Sequence, residues 1–281
     1  MRGKKFRWGS RTYIMGVLNV TPDSFSDGGA FLDPEAAAAR SEKLVSDGAD
    51  ILDIGGESSR PFSDPVSAEE ELDRIIPVLK EIREVTDCPV SVDTVKASVA
   101  EEALKHGADM VNDISGLRFD PGLADVVVRY GVPVVLMHMK GSPRDMQVDP
   151  VYEDLPGEVR SFLEERVEWA EARGIPREKI IIDPGIGFGK TFRDNLVLLN
   201  RMDVFAGLGQ PVLAGASRKA FIGALTGIED AGMRDVPSLG AAAAAVIRGA
   251  HMVRVHNVAL TRQVLQVVDA VLREDLDGGQ G

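Results

Sequence analysis

The sequence has little of several features that mark particular protein classes. It contains a single cysteine, Cys88, among 281 residues, which excludes an intrachain disulfide and a cysteine-rich metal site. No run reaches the roughly 18 consecutive apolar residues of a membrane span, and the basic start lacks the apolar stretch of a signal peptide. Positive charge is also scarce, since 32 Lys and Arg oppose 44 Asp and Glu for a net charge of −12. We therefore expect a cytoplasmic protein without a membrane or nucleic-acid partner, because nucleic-acid phosphates demand a basic footprint.

Short β-branched runs alternate with longer helical patterns along the whole chain. Uniformly apolar runs of this length, separated by segments long enough for a helix, indicate parallel strands that are covered on both faces. Eight such units in a chain of this size predict an α/β fold, a single (β/α)8 TIM barrel over residues 1–276, with a frayed tail over 277–281. The runs are Tyr13–Asn19, Ile51–Gly55, Val90–Asp93, Met110–Ile114, Val134–His138, Ile180–Asp183, Val212–Gly215 and Met252–His256.

Helical patterns fill most of the intervals between these runs. Several end in a Gly just before the next strand, as in Asp47-Gly48-Ala49-Asp50 and His106-Gly107-Ala108-Asp109, and Gly is the usual left-handed residue after a helix. The predicted helices are Pro34–Asp47, Ser67–Thr86, Lys96–His106, Leu155–Arg173, Phe192–Phe205, Leu239–Arg248 and Val258–Arg273.

Polar residues end almost every predicted strand. In barrels of this class the active site lies at the carboxyl ends of the strands. A single Asp or Asn at such a place is more often a turn or helix cap than a catalytic group. Asp93, Asn112 and Asp183 nevertheless end separate apolar strands where their side chains can share one mouth, which suggests a site for a heterocycle with several donors and acceptors. The other candidates are Asn19, Glu57, Asp113, His138, Ser217, Lys219, Arg254 and His256.

A glycine-rich segment, DPGIGFGK, follows the sixth predicted strand at residues 183–190. Its spacing matches neither GxGxxG nor GxxxxGK[ST], so it does not predict a nucleotide-phosphate loop. We interpret it as a tight turn that approaches a flat ligand closely, with Phe188 available to pack on that ligand. Lys190 is interpreted as a solvated surface lysine.

Basic groups near the mouth could hold an anion in this acidic protein. Arg60 lies in the long polar loop after the second strand, and Lys219 lies at a helix start in GASRK. Arg254 and His256 alternate, so that both face one side of the last strand. A helix start after a late barrel strand is a recurrent phosphate site, which together with these two residues favours a phosphate ligand.

Eight ordered motifs, NVTPDSFSDGG, ESSRP, SVDT, NDISG, MHMKGSP, DPGIGFGKT, GASRKAFIG and RVHNV, closely resemble those of the dihydropteroate synthase family. The resemblance covers nearly the whole chain. It implies a transferase that condenses 6-hydroxymethyl-7,8-dihydropterin diphosphate with p-aminobenzoate and releases diphosphate. It also leads us to expect a homodimer and an acceptor site of the kind that sulfonamides target.

The resemblance implies a role for each matching residue. The pterin would be read by Asp93, Asn112, Asp183 and Lys219, and diphosphate would meet Asn19, Arg254 and His256. Mg²⁺ would be held by the diphosphate, Asn19 and Asp27. The p-aminobenzoate site would include Phe25, Ser59, Arg60, Pro61 and Phe188. The groups closest to the chemistry would be Asp93, Lys219, Arg254 and His256.

Three positions depart from the pattern of this family. Phe62 stands where Gly usually follows SRP, Asn257 where RVHD is common, and Ala220 where Ser frequently follows SRK. The first departure would alter the packing of its loop. The third would remove a hydroxyl near the carboxylate of the acceptor.

Two alternative functions use the same barrel. A pterin-binding methyltransferase domain needs no diphosphate pocket, so Arg254, His256 and the complete first loop favour the synthase. A non-catalytic pterin-binding paralogue is disfavoured by the presence of Asn19, Asp27 and Arg60. Release of diphosphate would distinguish the synthase from both alternatives.

Overall fold

The structure is a computed structural model that describes residues 1–20 and 33–275. Within them, eight parallel strands lie in the order β6-β5-β4-β3-β2-β1-β8-β7, and a bridge between Ile182 and Val212 joins the two edges into a ring. The predicted barrel is confirmed, and each predicted strand is present to within one residue at either end. The strands are β1 (Tyr13–Asn19), β2 (Ile51–Gly55), β3 (Val90–Asp93), β4 (Met110–Asp113), β5 (Val134–Met137), β6 (Ile180–Asp183), β7 (Leu213–Ala214) and β8 (Met252–Val255).

Helices cover the outside of this sheet. They are α1 (Pro34–Ser46), α2 (Ala68–Val85), α3 (Ala97–Lys105), α4 (Gly122–Tyr130), α5 (Leu155–Ala172), α6 (Phe192–Asn200), α7 (Met202–Ala206), α8 (Ala220–Thr226), α9 (Asp235–Ile247) and α10 (Val258–Arg273). No helix in the described ranges is both long and apolar enough to cross a membrane.

Three helices differ from the sequence predictions. The predicted helix Phe192–Phe205 is two helices, because the backbone leaves helical geometry at Arg201, where φ is −116° and ψ is 28°. α9 begins at Asp235 rather than Leu239, since Pro237 lies in the first turn, where a missing N–H costs nothing. α4 was not predicted at all; its three consecutive valines lower helix propensity, but Leu123, Val126 and Val127 are buried against the core.

The two-residue alternation of the strands divides the barrel interior into two layers. The layer at the amino ends is apolar, and includes Met15, Ile51, Met110, Ile181 and Met252. Two residues further on, the same inward faces carry Asp53, Asn112, Asp183 and Arg254. Because side chains repeat their direction every second residue, one strand supplies both a core residue and a polar residue at the mouth.

The amino-terminal segment covers the apolar end of the barrel. Phe6 and Trp8 pack against the apolar layer, and the Phe6 and Trp8 rings lie 4.9 Å and 5.2 Å from the Tyr13 ring. Arg11 lies over the other face of this cluster, 4.3 Å from the Tyr13 ring centroid. The barrel is therefore closed by aromatic rings at the end opposite the polar mouth.

Candidate active site

Arg254 of β8 connects three strands at the centre of the mouth. Its Nε donates to Asp53 Oδ2 at 2.6 Å and its Nη2 donates to Asp93 Oδ2 at 2.8 Å. Asn112 Nδ2 also donates to Asp53 Oδ2, at 3.2 Å. The structure thus brings the predicted pterin residues Asp93 and Asn112 together with the predicted diphosphate residue Arg254.

Asp53 is the residue that sequence analysis missed. Its side chain is fully buried, and no partner for its Oδ1 is found among the described residues. It lies inside β2 rather than at its end, so the search of strand ends did not include it. The sequence feature that could have identified it is an Asp within the apolar run ILDIG. Its side chain faces the same side of the strand as that of Ile51.

Asp183 and Lys219 form the opposite wall of the mouth. Asp183 Oδ1 accepts from the backbone N–H of Gly185 at 2.7 Å, which fixes the carboxylate at the start of the glycine-rich loop. Lys219 is the residue just before α8 and makes no side-chain capping bond, and its Nζ lies 3.9 Å from the ring centroid of Phe188. A Cβ at Gly215 would lie 3.9 Å from Asp183 Oδ2 and 3.8 Å from Arg254 Cβ. Gly215 therefore lies next to both the Asp183 carboxylate and the Arg254 side chain.

Burial shifts the protonation of these groups toward their neutral forms. It raises the pKa of Asp93 to about 7, against the attraction of Arg254. It raises the pKa of Asp183 to about 6, against the hydrogen bond from Gly185 and the charge of Lys219. It lowers the pKa of Lys219 to about 8, an effect to which Arg254 adds. Several titratable groups with shifts of this size in one mouth are typical of an active site.

His256 lies beside Ser217 rather than on the Arg254 cluster. Its Nδ1 is 3.0 Å from Ser217 Oγ, and its backbone N–H donates to the same oxygen at 3.3 Å. Burial, together with Arg218 and Arg254, lowers the pKa of His256 to about 3. His256 is therefore neutral at pH 7 before a ligand binds, and its ring N–H can donate a hydrogen bond to a phosphate.

The loop after β2 carries the predicted acceptor residues Ser59, Arg60 and Pro61. Ser59 lines a cavity of about 250 Å³ that Asp93, Lys96 and Arg144 also border, whereas Arg60 and Pro61 are exposed. Ser59 thus shares a cavity with a predicted pterin residue.

Phe62, in the same loop, has a φ of 65°, and its ring is exposed. Its backbone N–H donates to the Pro143 carbonyl at 3.0 Å. Left-handed backbone favours Gly because it has no Cβ. This left-handed backbone is a physical reason why Gly suits the position. Phe62 requires the loop to hold a residue with a Cβ in that conformation.

Two predicted residues, Phe25 and Asp27, lie outside the described residues. Asn19 is described: it ends β1, is half-buried and stands opposite Gly55 of β2. Its place at the carboxyl end of a strand agrees with a position in the mouth.

The interpretation of Lys190 as a surface lysine is wrong. Its side chain is only 1% exposed, and its Nζ lies 2.8 Å from the Phe188 carbonyl oxygen and 2.9 Å from His138 Nδ1. The glycine-rich loop turns back on the end of β5, so that the lysine points into the protein.

Other strand-end candidates have structural roles. Asp113 accepts from the backbone N–H groups of Ser115 and Leu117 at 2.7 Å and 2.6 Å, which forms a turn. Glu57 pairs with Lys96, which also pairs with the buried Glu71. These residues stabilise the loops around the mouth.

Asn257, the second departure, caps α10 and contacts a neighbouring acid. Its Oδ1 accepts from the Leu260 backbone N–H at 3.1 Å, and its Nδ2 donates to Asp235 Oδ2 at 2.9 Å. Asp235 also pairs with Arg218 at 2.6 Å. An Asp at position 257 would keep the cap but would face a second carboxylate.

We expect Asn257→Asp to lower the free energy of unfolding by about 1 kcal/mol, because it replaces a hydrogen bond by a like-charge contact. Urea unfolding at neutral pH measures the loss. Asn257→Ser retains a capping oxygen without adding charge and should cost less. An Asn257→Asp chain that is as stable as the original would show that Arg218 neutralises both carboxylates.

A closed (β/α)8 barrel whose mouth joins carboxylates, an amide, Lys219 and Arg254 has the features of an enzyme for a polar heterocyclic substrate. Residues 15–256 match the model of the family described as pterin binding enzyme. The chain therefore belongs to the family of pterin-binding enzymes.

Relatives with known names identify the branch of this family. The dihydropteroate synthase of Synechocystis is 46% identical over 95% of this chain and 93% of its own, and that of Haemophilus influenzae is 45% identical over 92% and 93%. The chain belongs with the dihydropteroate synthases, which are transferases.

Solved structures agree with this membership. The Yersinia pestis dihydropteroate synthase with a sulfonamide drug complex superimposes with a TM-score of 0.92 at 40% identity, covering 97% of this chain and 98% of that one. The Xanthomonas albilineans dihydropteroate synthase with 4-aminobenzoic acid gives a TM-score of 0.88 at 48% identity and covers 94% of both chains.

Proposed function

We propose that this chain condenses 6-hydroxymethyl-7,8-dihydropterin diphosphate with p-aminobenzoate to give 7,8-dihydropteroate and diphosphate. The observation that carries the proposal is the cluster of Asp93, Asn112 and Arg254 around Asp53, with Asp183 and Lys219 opposite. The cluster supplies acceptors and donors for a pterin next to cations for its diphosphate. A related structure, the X. albilineans dihydropteroate synthase, is described in complex with 7,8-dihydropteroate.

The residues of the mouth fit the bond changes of this reaction. The arylamine nitrogen attacks the exocyclic carbon of the pterin, the bond from that carbon to the diphosphate oxygen breaks, and the amine loses a proton to water. Diphosphate leaves with the bonding electrons, so charge builds on its oxygens, where Arg254 and the His256 N–H can stabilise it. Asp93 and Asp183 stabilise positive charge on the pterin. The amine is neutral at pH 7 and needs no strong base.

We propose Mg²⁺ as the metal, held by the substrate diphosphate together with Asn19 and Asp27. Residues 1–20 and 33–275 contain no group of three or more His, Cys, Asp or Glu side chains arranged to hold a metal. Mg²⁺ is commonly bound through substrate phosphates together with one or two protein oxygens, which Asn19 and Asp27 can supply. When bound, the ion would neutralise charge on the departing diphosphate.

We place the acceptor between Phe188, Lys219 and the loop after β2. Phe188 is buried under the Lys219 ammonium, a pair that offers an aromatic face and a cation to a benzoate. Ser59, Arg60 and Pro61, together with Phe25, complete this proposed subsite. Ala220 has no hydroxyl. We therefore expect the backbone N–H groups at the start of α8 to be the donors near the acceptor carboxylate.

Diphosphate release tests the proposed reaction. We expect the purified chain to release diphosphate only when pterin diphosphate, p-aminobenzoate and Mg²⁺ are all present.

His256→Ala should weaken the binding of pterin diphosphate more than that of the pterin without phosphates, because His256 does not touch the Asp93 cluster. Arg254 is the poorer probe, since its loss would also free Asp93. Pterin binding without diphosphate release would favour the methyltransferase or the non-catalytic alternative.

We propose that the chain forms a homodimer through one apolar face. Most exposed large apolar side chains of the described residues lie on α6, α8, α9, α10 and the short 3-10 turn Ala231–Arg234, a set that we call the α6–α10 face. Its members are Phe192, Leu196, Leu225, Met233, Val236, Ile247, Val267, Val271 and Leu272. These helices contact one another, exposed apolar surface on neighbouring elements is typical of a protein interface, and a second copy of the chain offers the same face for a two-fold contact.

Val271→Asp should convert the dimer to a monomer, because Val271 lies on this face with 69% of its surface exposed. Val148→Asp is a matched control, since Val148 is 68% exposed in the loop after β5. Sedimentation velocity distinguishes the species. A dimer that tolerates Val271→Asp would place the contact elsewhere.

We also propose a cytoplasmic location. The only cysteine of the sequence, Cys88, is a buried free thiol. A protein without disulfides suits a reducing compartment.

A further inference from the structure

A lysine lies buried behind the pterin wall of the mouth. Lys190 follows the glycine-rich loop after β6 and is among the largest of the fully buried side chains in the described part of the chain. Its Nζ donates to the Phe188 carbonyl at 2.8 Å and to His138 Nδ1 at 2.9 Å, and lies 3.4 Å from the His138 carbonyl. Lysines are almost never fully buried without a paired acid, yet these acceptors are all neutral.

The loop that carries Asp183 is packed directly on this lysine. A Cβ at Gly185 would lie 1.9 Å from the His138 carbonyl oxygen and 3.4 Å from Lys190 Nζ. Gly185 is also the residue whose N–H binds Asp183. The ammonium group therefore lies immediately behind the segment that fixes the Asp183 carboxylate.

The charges of Lys190 and Asp183 stabilise each other. Burial lowers the pKa of Lys190 to about 7, while the attraction of Asp183 raises it. Lys190 and Lys219 in turn lower the pKa of Asp183 from the higher value that burial alone would give. Asp194 of α6 and Lys219 also act on Lys190, and Arg118 and Lys140 act on His138.

His138 is the neutral acceptor in this arrangement. Burial, followed by the charges of Lys190 and Arg118, lowers its pKa to about 2. Its ring is held edge-on to Phe162, at 4.8 Å between centroids. A neutral imidazole accepts through Nδ1 when its proton is on Nε2, so the ring can accept from the ammonium without competing for its charge.

We propose that Lys190 is a positioning residue for pterin recognition, whose buried ammonium, seated on His138 and the Phe188 carbonyl, keeps Asp183 ionised as a hydrogen-bond acceptor for the pterin. The proposal rests on the pterin site proposed above. Lys190 does not touch the substrate; it acts through Asp183. It therefore differs from Lys219, whose ammonium faces the mouth over Phe188.

The test compares Lys190→Met with Lys179→Met. Lys179 lies just before the other end of β6, and its Nζ donates to the Gly131 carbonyl, far from the mouth. Binding of 6-hydroxymethylpterin is measured by calorimetry between about pH 5.5 and about pH 8, which spans the pKa values of about 6 for Asp183 and about 7 for Lys190. Loss of a nearby opposite charge raises a carboxyl pKa by about one unit or more. Lys190→Met should therefore weaken binding about fivefold at pH 6 and hardly at all at pH 8.

Three further results decide the proposal. Lys190→Arg, which keeps the charge, should restore binding at low pH, and Lys179→Met should match the original chain at every pH. A loss that is equal at all pH values would show a merely structural role and overturn the proposal. If the original chain binds no pterin, the proposed function fails instead.

A measurement on the unaltered chain covers the case in which Lys190→Met does not fold. The Lys190 ammonium can be titrated by NMR on lysine-labelled protein, with and without 6-hydroxymethylpterin. A ligand that requires ionised Asp183 favours protonated Lys190, so the pKa of Lys190 should rise when the pterin binds. A pKa that does not change would overturn the proposal.

Discussion

Replacing Asp183 by Asn should weaken binding of 6-hydroxymethylpterin by about a hundredfold. The substitution keeps the shape of the side chain but removes the charge and one acceptor from a buried site, and a hydrogen bond to a charged group contributes about 1.5–3 kcal/mol. Loss of one such bond, near the upper end of that range, accounts for the expected hundredfold. Isothermal titration calorimetry on the purified variant measures it.

The pH dependence of the original chain provides a second check on this role. The pKa of Asp183 is raised to about 6 and that of Asp93 to about 7. Both carboxyls are ionised above these values and take up protons below them, so pterin affinity should fall as the pH is lowered through this range. Thermal unfolding of Asp183→Asn confirms that the variant is folded. Unchanged affinity in a folded variant would move the pterin pocket away from β6.

Asp53→Ala should have the largest effect on stability among the mouth residues. Asp53 is fully buried and accepts from both Arg254 and Asn112. Removing one partner of a buried ion pair leaves the other charge uncompensated, which typically costs about 3–5 kcal/mol. Arg254 retains Asp93, so we expect a loss near the lower end of that range, together with weaker binding of pterin diphosphate. Urea unfolding and calorimetry measure the two effects.

Asp53→Asn is the matched variant for this experiment. Its amide oxygen can still accept from Arg254, so it should retain more stability than Asp53→Ala while losing the ion pair. If both variants are as stable as the original chain, Arg254 has been released to solvent without cost and Asp53 does not hold it in place.

The fold was accessible from the sequence because the strands of a barrel are covered on both sides. Such strands are uninterrupted apolar runs, and β1, β2, β3 and β6 have the predicted bounds. Helices were harder to predict where local propensity and tertiary packing disagree. In α4, Val126 and Val127 favour a strand locally, but their burial against the core stabilises a helix.

The candidate site was predictable only in part, because some of its residues depend on contacts with residues that are distant in the sequence. Strand ends can be read from a sequence, and Asp93, Asn112 and Asp183 were found in this way. Asp53 lies within a strand, and its importance depends on Arg254, 201 residues away in the chain. Lys190 follows three glycines, and whether it points outward or inward depends on how that loop folds back on β5, which its sequence does not specify.

The aromatic cap formed by Phe6, Trp8 and Tyr13 closes one end of the barrel, whereas the polar residues lie at the other end. Beneath the polar layer the interior is filled by the apolar layer and this cap, so within residues 1–20 and 33–275 Asp53 and Arg254 face the side of the loops. The Asp53 side chain is fully buried and that of Arg254 is mostly buried, so their charges lie in a medium that screens them weakly. The packing at one end of the barrel thus sets the strength of the electrostatic interactions at the other.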